Sequence, residues 1–94
     1  MKSKMRKFSI EESLKKSISK LSKKNKVTYD ALMNKMNEIL TCQDVNHYKN
    51  LKKPLEEYKR VHIKGSFVLL FKYIQAEDKI LFYDLAHHDK VYKQ

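Results

Sequence analysis

The side chains that could move protons and hold phosphate gather in the second half of the chain: Arg60 and His62, then His87, His88 and Tyr92. Tyr58-Lys-Arg-Val-His-Ile63 reads as a strand, and its period of two puts Tyr58, Arg60 and His62 on one face, Lys59, Val61 and Ile63 on the other. His87 and His88 stand where another strand, Lys79–Leu85, ends and the tail Ala86–Tyr92 begins, a place where strand ends and loops commonly carry chemistry. Cutting an RNA strand through its own 2′-hydroxyl requires three things: a base for that proton, an acid for the leaving 5′-oxygen, and cations for the charge that builds on phosphorus. Histidine suits the first two, since its unperturbed pKa of about 6.5 lets it hold or release a proton near neutrality. Arginine and lysine suit the third, and a tyrosine such as Tyr92 can stack on an extruded base or donate its hydroxyl.

Each of these residues also has a structural reading. His62 can be an ordinary half-exposed strand residue, His87-His88 a polar turn, and Tyr92 an anchor pinning the tail to the sheet. Other chemistries find no support. There is no carboxylate pair at useful spacing, no glycine-rich phosphate loop, no HExxH and no CxxC, so neither a metal nor a cofactor is expected.

The elements that must position these residues follow from periodicity. Phe67-Val-Leu-Leu-Phe71 is a continuous apolar run between Gly65-Ser66 and Gln75–Asp78, the pattern of a strand buried on both faces. It is expected at the centre, flanked by Tyr58–Ile63 and Ile80–Leu85. Upstream, Met5–Ser9 is a possible edge strand with Phe8 pointing inward. Ser9-Ile-Glu-Glu12 fits a capping box and predicts a helix from there, with Ile10, Leu14, Ile18 and Leu21 as its apolar stripe. After a charged turn at Ser22–Lys26, with Asn25 as N-cap, a second helix is predicted over Lys26–Leu40. Its stripe of Tyr29, Leu32, Met33, Met36, Ile39 and Leu40 reads as core rather than as a cofactor box. Thr41–Pro54 loses the period and reads as a long loop bearing Lys49, Lys52 and Lys53, either a phosphate-contacting segment or a solvated linker. Cys42 has no cysteine partner and no metal-ligand spacing.

The predicted fold class is therefore α+β, a β-α-α-β-β-β chain in one domain spanning 1–94. Its two-helix hairpin covers one face of a small, mainly antiparallel sheet and leaves the other face open. If Val61 and Ile63 face the helices, Arg60 and His62 face the open side.

Charge points to the partner class. The 94 residues carry 21 Lys and Arg against 11 Asp and Glu, a net +10, with 12 basic and 5 acidic residues in 1–50 and 9 and 6 in 51–94. Such a field favours polyanions: nucleic acid first, an acidic protein second. A solubilising lysine surface is the structural alternative. No apolar run reaches the ~18 residues of a membrane span, and a single cysteine suits a reducing interior, so a soluble cytoplasmic protein is expected.

The element order, the phrases Tyr58-Lys-Arg-Val-His-Ile63 and Ser66-Phe-Val-Leu-Leu-Phe71, and the ending His87-His-Asp-Lys-Val-Tyr92 resemble the RelE/ParE superfamily of toxins from toxin–antitoxin pairs, and most of all its RelE/StbE and YafQ-like branch. In that branch a histidine ends the strand equivalent to Tyr58–Ile63, and another precedes a terminal aromatic. His62 matches the first, His88 the second, and Arg60 a recurrent basic residue. Val68 stands where RelE toxins usually carry an arginine and Ser66 where the YafQ-like branch carries an aspartate, which favours a histidine-centred mechanism; His47 is a weaker match to a further histidine. The resemblance implies an endoribonuclease, an mRNA interferase cleaving messenger RNA on the ribosome and held in a hetero-oligomer by a small acidic, RelB-like antitoxin. Arg60, His62, His87, His88 and Tyr92 would be catalytic, with Lys52, Lys53, Lys64 and Ser66 on the RNA. The alternatives are a ParE-like topoisomerase poison, a branch lacking these histidines, and a non-catalytic basic module that binds nucleic acid.

Overall fold

The computed structural model describes residues 5–87. In chain order they form β1 (Lys7–Ile10), α1 (Glu12–Lys24), α2 (Lys26–Thr41), a short 3-10 turn (Val45–His47), β2 (Lys59–His62), β3 (Phe67–Ile74), a second 3-10 turn (Gln75–Glu77) and β4 (Lys79–His87). The strands make one sheet in the order β1-β4-β3-β2. β3 is antiparallel to both neighbours, while β1 runs parallel to β4 along the outer edge. The sheet is thus mixed, and the two helices pack on one face of it, as the sequence predicts.

Asn25 closes one helix and opens the next. Its backbone N–H donates to Leu21 O at 2.9 Å, and its side-chain oxygen accepts from Thr28 N at 3.2 Å, satisfying an amide the first turn of α2 leaves unpaired. Lys23 and Lys24 in the last turn of α1 complement the negative end of its dipole. The apolar stripes then meet the sheet. Leu14, Leu32, Met36, Ile39 and Leu40 are buried against Leu69, Phe71, Ile80 and Phe82, with Ile18, Leu21 and Met33 packed at the margin. Each fully buried side chain of this size contributes about 1.5–3 kcal/mol, so this layer contact orients the sheet.

Two expectations need correction. Ser9 does not cap α1. It lies in β1, the helix starts at Glu12, and Glu11 in the cap position makes no side-chain cap bond. Pairing with β4 is the reason: Ser9 aligns with Leu81 and Ile10 with Phe82, and Glu11 N donates to Phe82 O at 3.0 Å. Ladder bonds already hold the backbone that the capping box would need in a helical approach, and Ile10 joins the core from the strand. The segment Thr41–Pro54 is also more than a solvated linker. Its 3-10 turn buries Val45, Tyr48 packs edge-on against Phe71 with ring centroids 5.6 Å apart, and Asn50 forms an isolated antiparallel bridge with Lys59.

The hairpin between β2 and β3 turns at Lys64–Ser66, with Gly65 at φ +62°, a conformation that strains residues bearing a Cβ. Between β3 and β4 the chain reverses at Asp78, whose carboxylate accepts from Tyr73 Oη and from Arg6 Nε, each at 2.8 Å. Arg6 also donates Nη1 to Ile39 O at 3.3 Å and Nη2 to Gln43 O at 3.2 Å. One guanidinium therefore ties the end of α2 to the β3–β4 turn.

Candidate functional site

The site is built on the sheet face that the helices leave uncovered. In the β2–β3 ladder Arg60 aligns with Leu70 and His62 with Val68, while Lys59 and Val61 align with Phe71 and Leu69 on the helix side. Arg60 and His62 therefore share the open face, about 7 Å apart along the strand. His62 is exposed and Arg60 half-buried. Val68 is 0% and Leu70 7% exposed although both point away from the helices, so the middle of this face is dry. Cationic and imidazole groups beside a dry floor interact with phosphate more strongly than they do in open water.

A bulge completes the face. Leu70 aligns with Asp84 and Phe71 with Phe82, which leaves Tyr83 as the extra residue on β4. Tyr83 is turned to the open side, where its ring stacks on Tyr58 at 4.7 Å between centroids and 27° between planes. Tyr58 lies just before β2, and its stack on Tyr83 puts its ring on the same side as Arg60, as the sequence predicts. Tyr83 was not legible as a site residue, because alternation counted from Leu85 puts it on the helix side and alternation counted from Phe82 on the open side, and only the bulge reconciles the two.

Lys59 is the other unexpected feature. It faces the helix layer and is 5% exposed. Its ammonium donates to Tyr48 O at 3.1 Å and to Asn50 Oδ1 at 3.0 Å. Burial pushes its pKa below the ordinary lysine value, and the negative charge of Asp44 partly opposes this. Together with Arg60 N donating to Lys49 O and Leu51 N to Tyr58 O, both at 2.9 Å, it fixes residues 48–51 along the outer edge of β2. Tyr48 donates its hydroxyl to a Glu38 carboxylate oxygen; burial, then that bond, pushes the phenol up, and the same bond draws Glu38 below the usual carboxylate range.

The remaining candidates fall in several places. His87 aligns with Phe67 on the side opposite Arg60 and His62, its ring 5.0 Å from that of Phe67. His88 and Tyr92 lie outside the described residues. Lys64 and Ser66 are exposed at the hairpin end of β2, and Lys52 and Lys53 are exposed beyond its other end, so the basic residues bracket the strand rather than cluster. His47 sits across the 3-10 turn, with Nδ1 against Asp44 O and its ring on Tyr48, away from β2's open face. Among the described residues no group of three or more His, Cys, Asp or Glu could hold a metal ion, and no helix is long and apolar enough to cross a membrane.

No protein-family model matches the chain. Over 90 residues it is 44% identical to a Methanocaldococcus jannaschii protein described as "Putative toxin RelE4", covering 96% of this chain and 94% of that one. It is also 40% identical over 83 residues to an uncharacterized protein of Methanosarcina mazei, covering 88% of this chain and 94% of the relative. Among solved structures, a chain of the RelBE2 toxin–antitoxin complex from Mycobacterium tuberculosis superposes with a TM-score of 0.70 at 13% identity, over 89% of this chain and 99% of that one, a likeness of fold. With a relative this similar along nearly its whole length and the same arrangement of helices on a four-stranded sheet, the chain belongs to the RelE family of toxins.

Proposed function

We propose that this toxin is an endoribonuclease that cleaves messenger RNA, in association with the ribosome, by attack of the 2′-hydroxyl on the adjacent phosphate. The observation that carries the reading is the placement of Arg60 and His62 together on the sheet face away from the helices, in a strongly basic protein. In the mechanism, His62 exchanges a proton with the reacting oxygens and Arg60 bears the charge that grows on phosphorus. His88 supplies the second acid–base group and Tyr92 stacks on or hydrogen-bonds the substrate; both roles rest on the sequence match alone. His87, aligned with Phe67, takes a supporting role at the end of β4. The physiological inhibitor is a small acidic antitoxin, since a +10 chain attracts an anionic segment at long range and loses that advantage as salt rises.

The experiment is induced expression of the wild type and of His62→Ala and His88→Ala, following message abundance and growth. Wild type depletes messages, and each variant cleaves roughly 10²-fold more slowly, the scale of one general acid or base. Growth arrest with a DNA-damage response and intact messages would instead identify a topoisomerase poison.

A further inference from the structure

We propose that Tyr58 and Tyr83 form a stacking platform for one nucleobase of single-stranded RNA, beside the phosphate that Arg60 and His62 hold. The inference deepens the ribonuclease reading and rests on it for the direction of the strand.

Three observations converge. The first is position: Tyr58 stands immediately before β2, two residues ahead of Arg60, and its ring meets Tyr83, which lies on the same side of the sheet as Arg60 and His62. The second is the bulge. Tyr83 is the residue that the β3–β4 register skips, so it and Asp84 stand on the same open side, where the Tyr83 ring lies on Tyr58 at 4.7 Å. The third is exposure. Tyr83 is 39% exposed, and of the described large apolar side chains left exposed it alone stands on this face, since Phe8 aligns with Ile80 on the helix side, Val27 belongs to α2 and Met5 precedes β1. Stacked on Tyr58, Tyr83 still keeps surface open to solvent.

A flat, preordered, partly exposed aromatic pair beside an arginine on a basic surface fits the chemistry of a base and its phosphate. Stacking tolerates any base, because every base has a π-face. The platform therefore gives a mild preference for purines, which offer the larger surface, rather than a strict sequence code. The other role open to the pair is cover for Leu70, 7% exposed beneath this face. Leucine at position 83 serves that role, and only an aromatic ring serves stacking.

The test uses the purified chain and a short RNA made uncleavable by 2′-O-methylation, with a single 2-aminopurine moved along it position by position. Wild type should quench one position on binding, Tyr83→Phe should quench it equally, and Tyr83→Leu, checked for an unchanged melting temperature, should lose the quench and bind roughly 5- to 100-fold more weakly. No binding, no quenched position, or quenching unchanged in Tyr83→Leu would overturn the platform. So would a Tyr83→Leu variant that stacks RNA normally but no longer holds a partner protein, since the surface would then belong to that protein. A wild type that quenches the probe yet leaves messages intact on induced expression would overturn the ribonuclease reading and leave the platform standing.

Discussion

Lys59 donates its buried ammonium to the carbonyl oxygen of Tyr48, 3.1 Å away, so the strand that carries Arg60 and His62 is fastened to the loop that carries Lys49. No carboxylate is bonded to that ammonium among the described contacts; its second acceptor is the amide oxygen of Asn50. Removing the lysine strips two acceptors of their donor and the β2 edge of its fastening. Lys59→Ala should destabilise the fold by about 2 kcal/mol in chemical denaturation, and Lys59→Met, which keeps the apolar stem, by less. The pH dependence follows from the direction of the shift. A lysine whose folded pKa lies below its ordinary 10.5 binds fewer protons folded than unfolded in that interval, so stability should rise as pH climbs toward 10.5, and Lys59→Met should flatten that rise. An alanine variant as stable as wild type would refute the fastening.

Glu38 and Tyr48 give a second pH signature at the acid end. The phenol donates to Glu38 and holds its carboxyl below the ordinary 4.5, so this contribution is complete above pH 4.5 and is lost as pH falls through the lowered pKa. Tyr48→Phe should cost about 1 kcal/mol at neutral pH, a figure kept small because the Glu38 side chain is half exposed. Its stability should also fall less steeply below pH 4.5 than that of wild type. Parallel acid-melting curves for the two proteins would contradict the assignment.

Arg6 should prove hard to replace. Its guanidinium spans the carbonyls of Ile39 and Gln43 and the carboxylate of Asp78, a fork that a single ammonium cannot reproduce. Arg6→Lys should lower stability by about 2 kcal/mol through the carbonyl contacts. Asp78→Asn should cost less, because that carboxylate is exposed. Equal losses in the two variants, measured by urea denaturation, would shift the weight from the helix end to the ion pair.

Lys52, Lys53 and Lys64 stand exposed at the two ends of β2, and we propose that they contact phosphates rather than bases. Neutralising each should weaken RNA or ribosome binding for every sequence alike and reduce the slope of log affinity against log salt by somewhat less than one. An altered cleavage-site preference at an unchanged salt slope would reassign the residue to base recognition.

What the amino-acid sequence determined by itself is local and periodic. Alternation in Tyr58–Ile63 decides that Arg60 and His62 share a face. The unbroken run Phe67–Phe71 requires cover on both sides, so it identifies the central strand, and the stripes through Leu14 and Leu32 demand a common layer. The order of elements, the phrases around His62 and Phe67 and the ending His87–Tyr92 carry the family likeness. The rest was decided by partners remote in sequence. Ser9 and Ile10 carry a legitimate helix-start pattern, and only hydrogen bonding to β4, some seventy residues away, draws them into β1. Nothing near Lys59 forecasts a buried ammonium, because its acceptors at positions 48 and 50 reach it only when that loop lies along β2. Tyr83 and Asp84 share the open side because the β3–β4 register slips by one residue, and a register belongs to two strands at once, so neither strand's own pattern contains it.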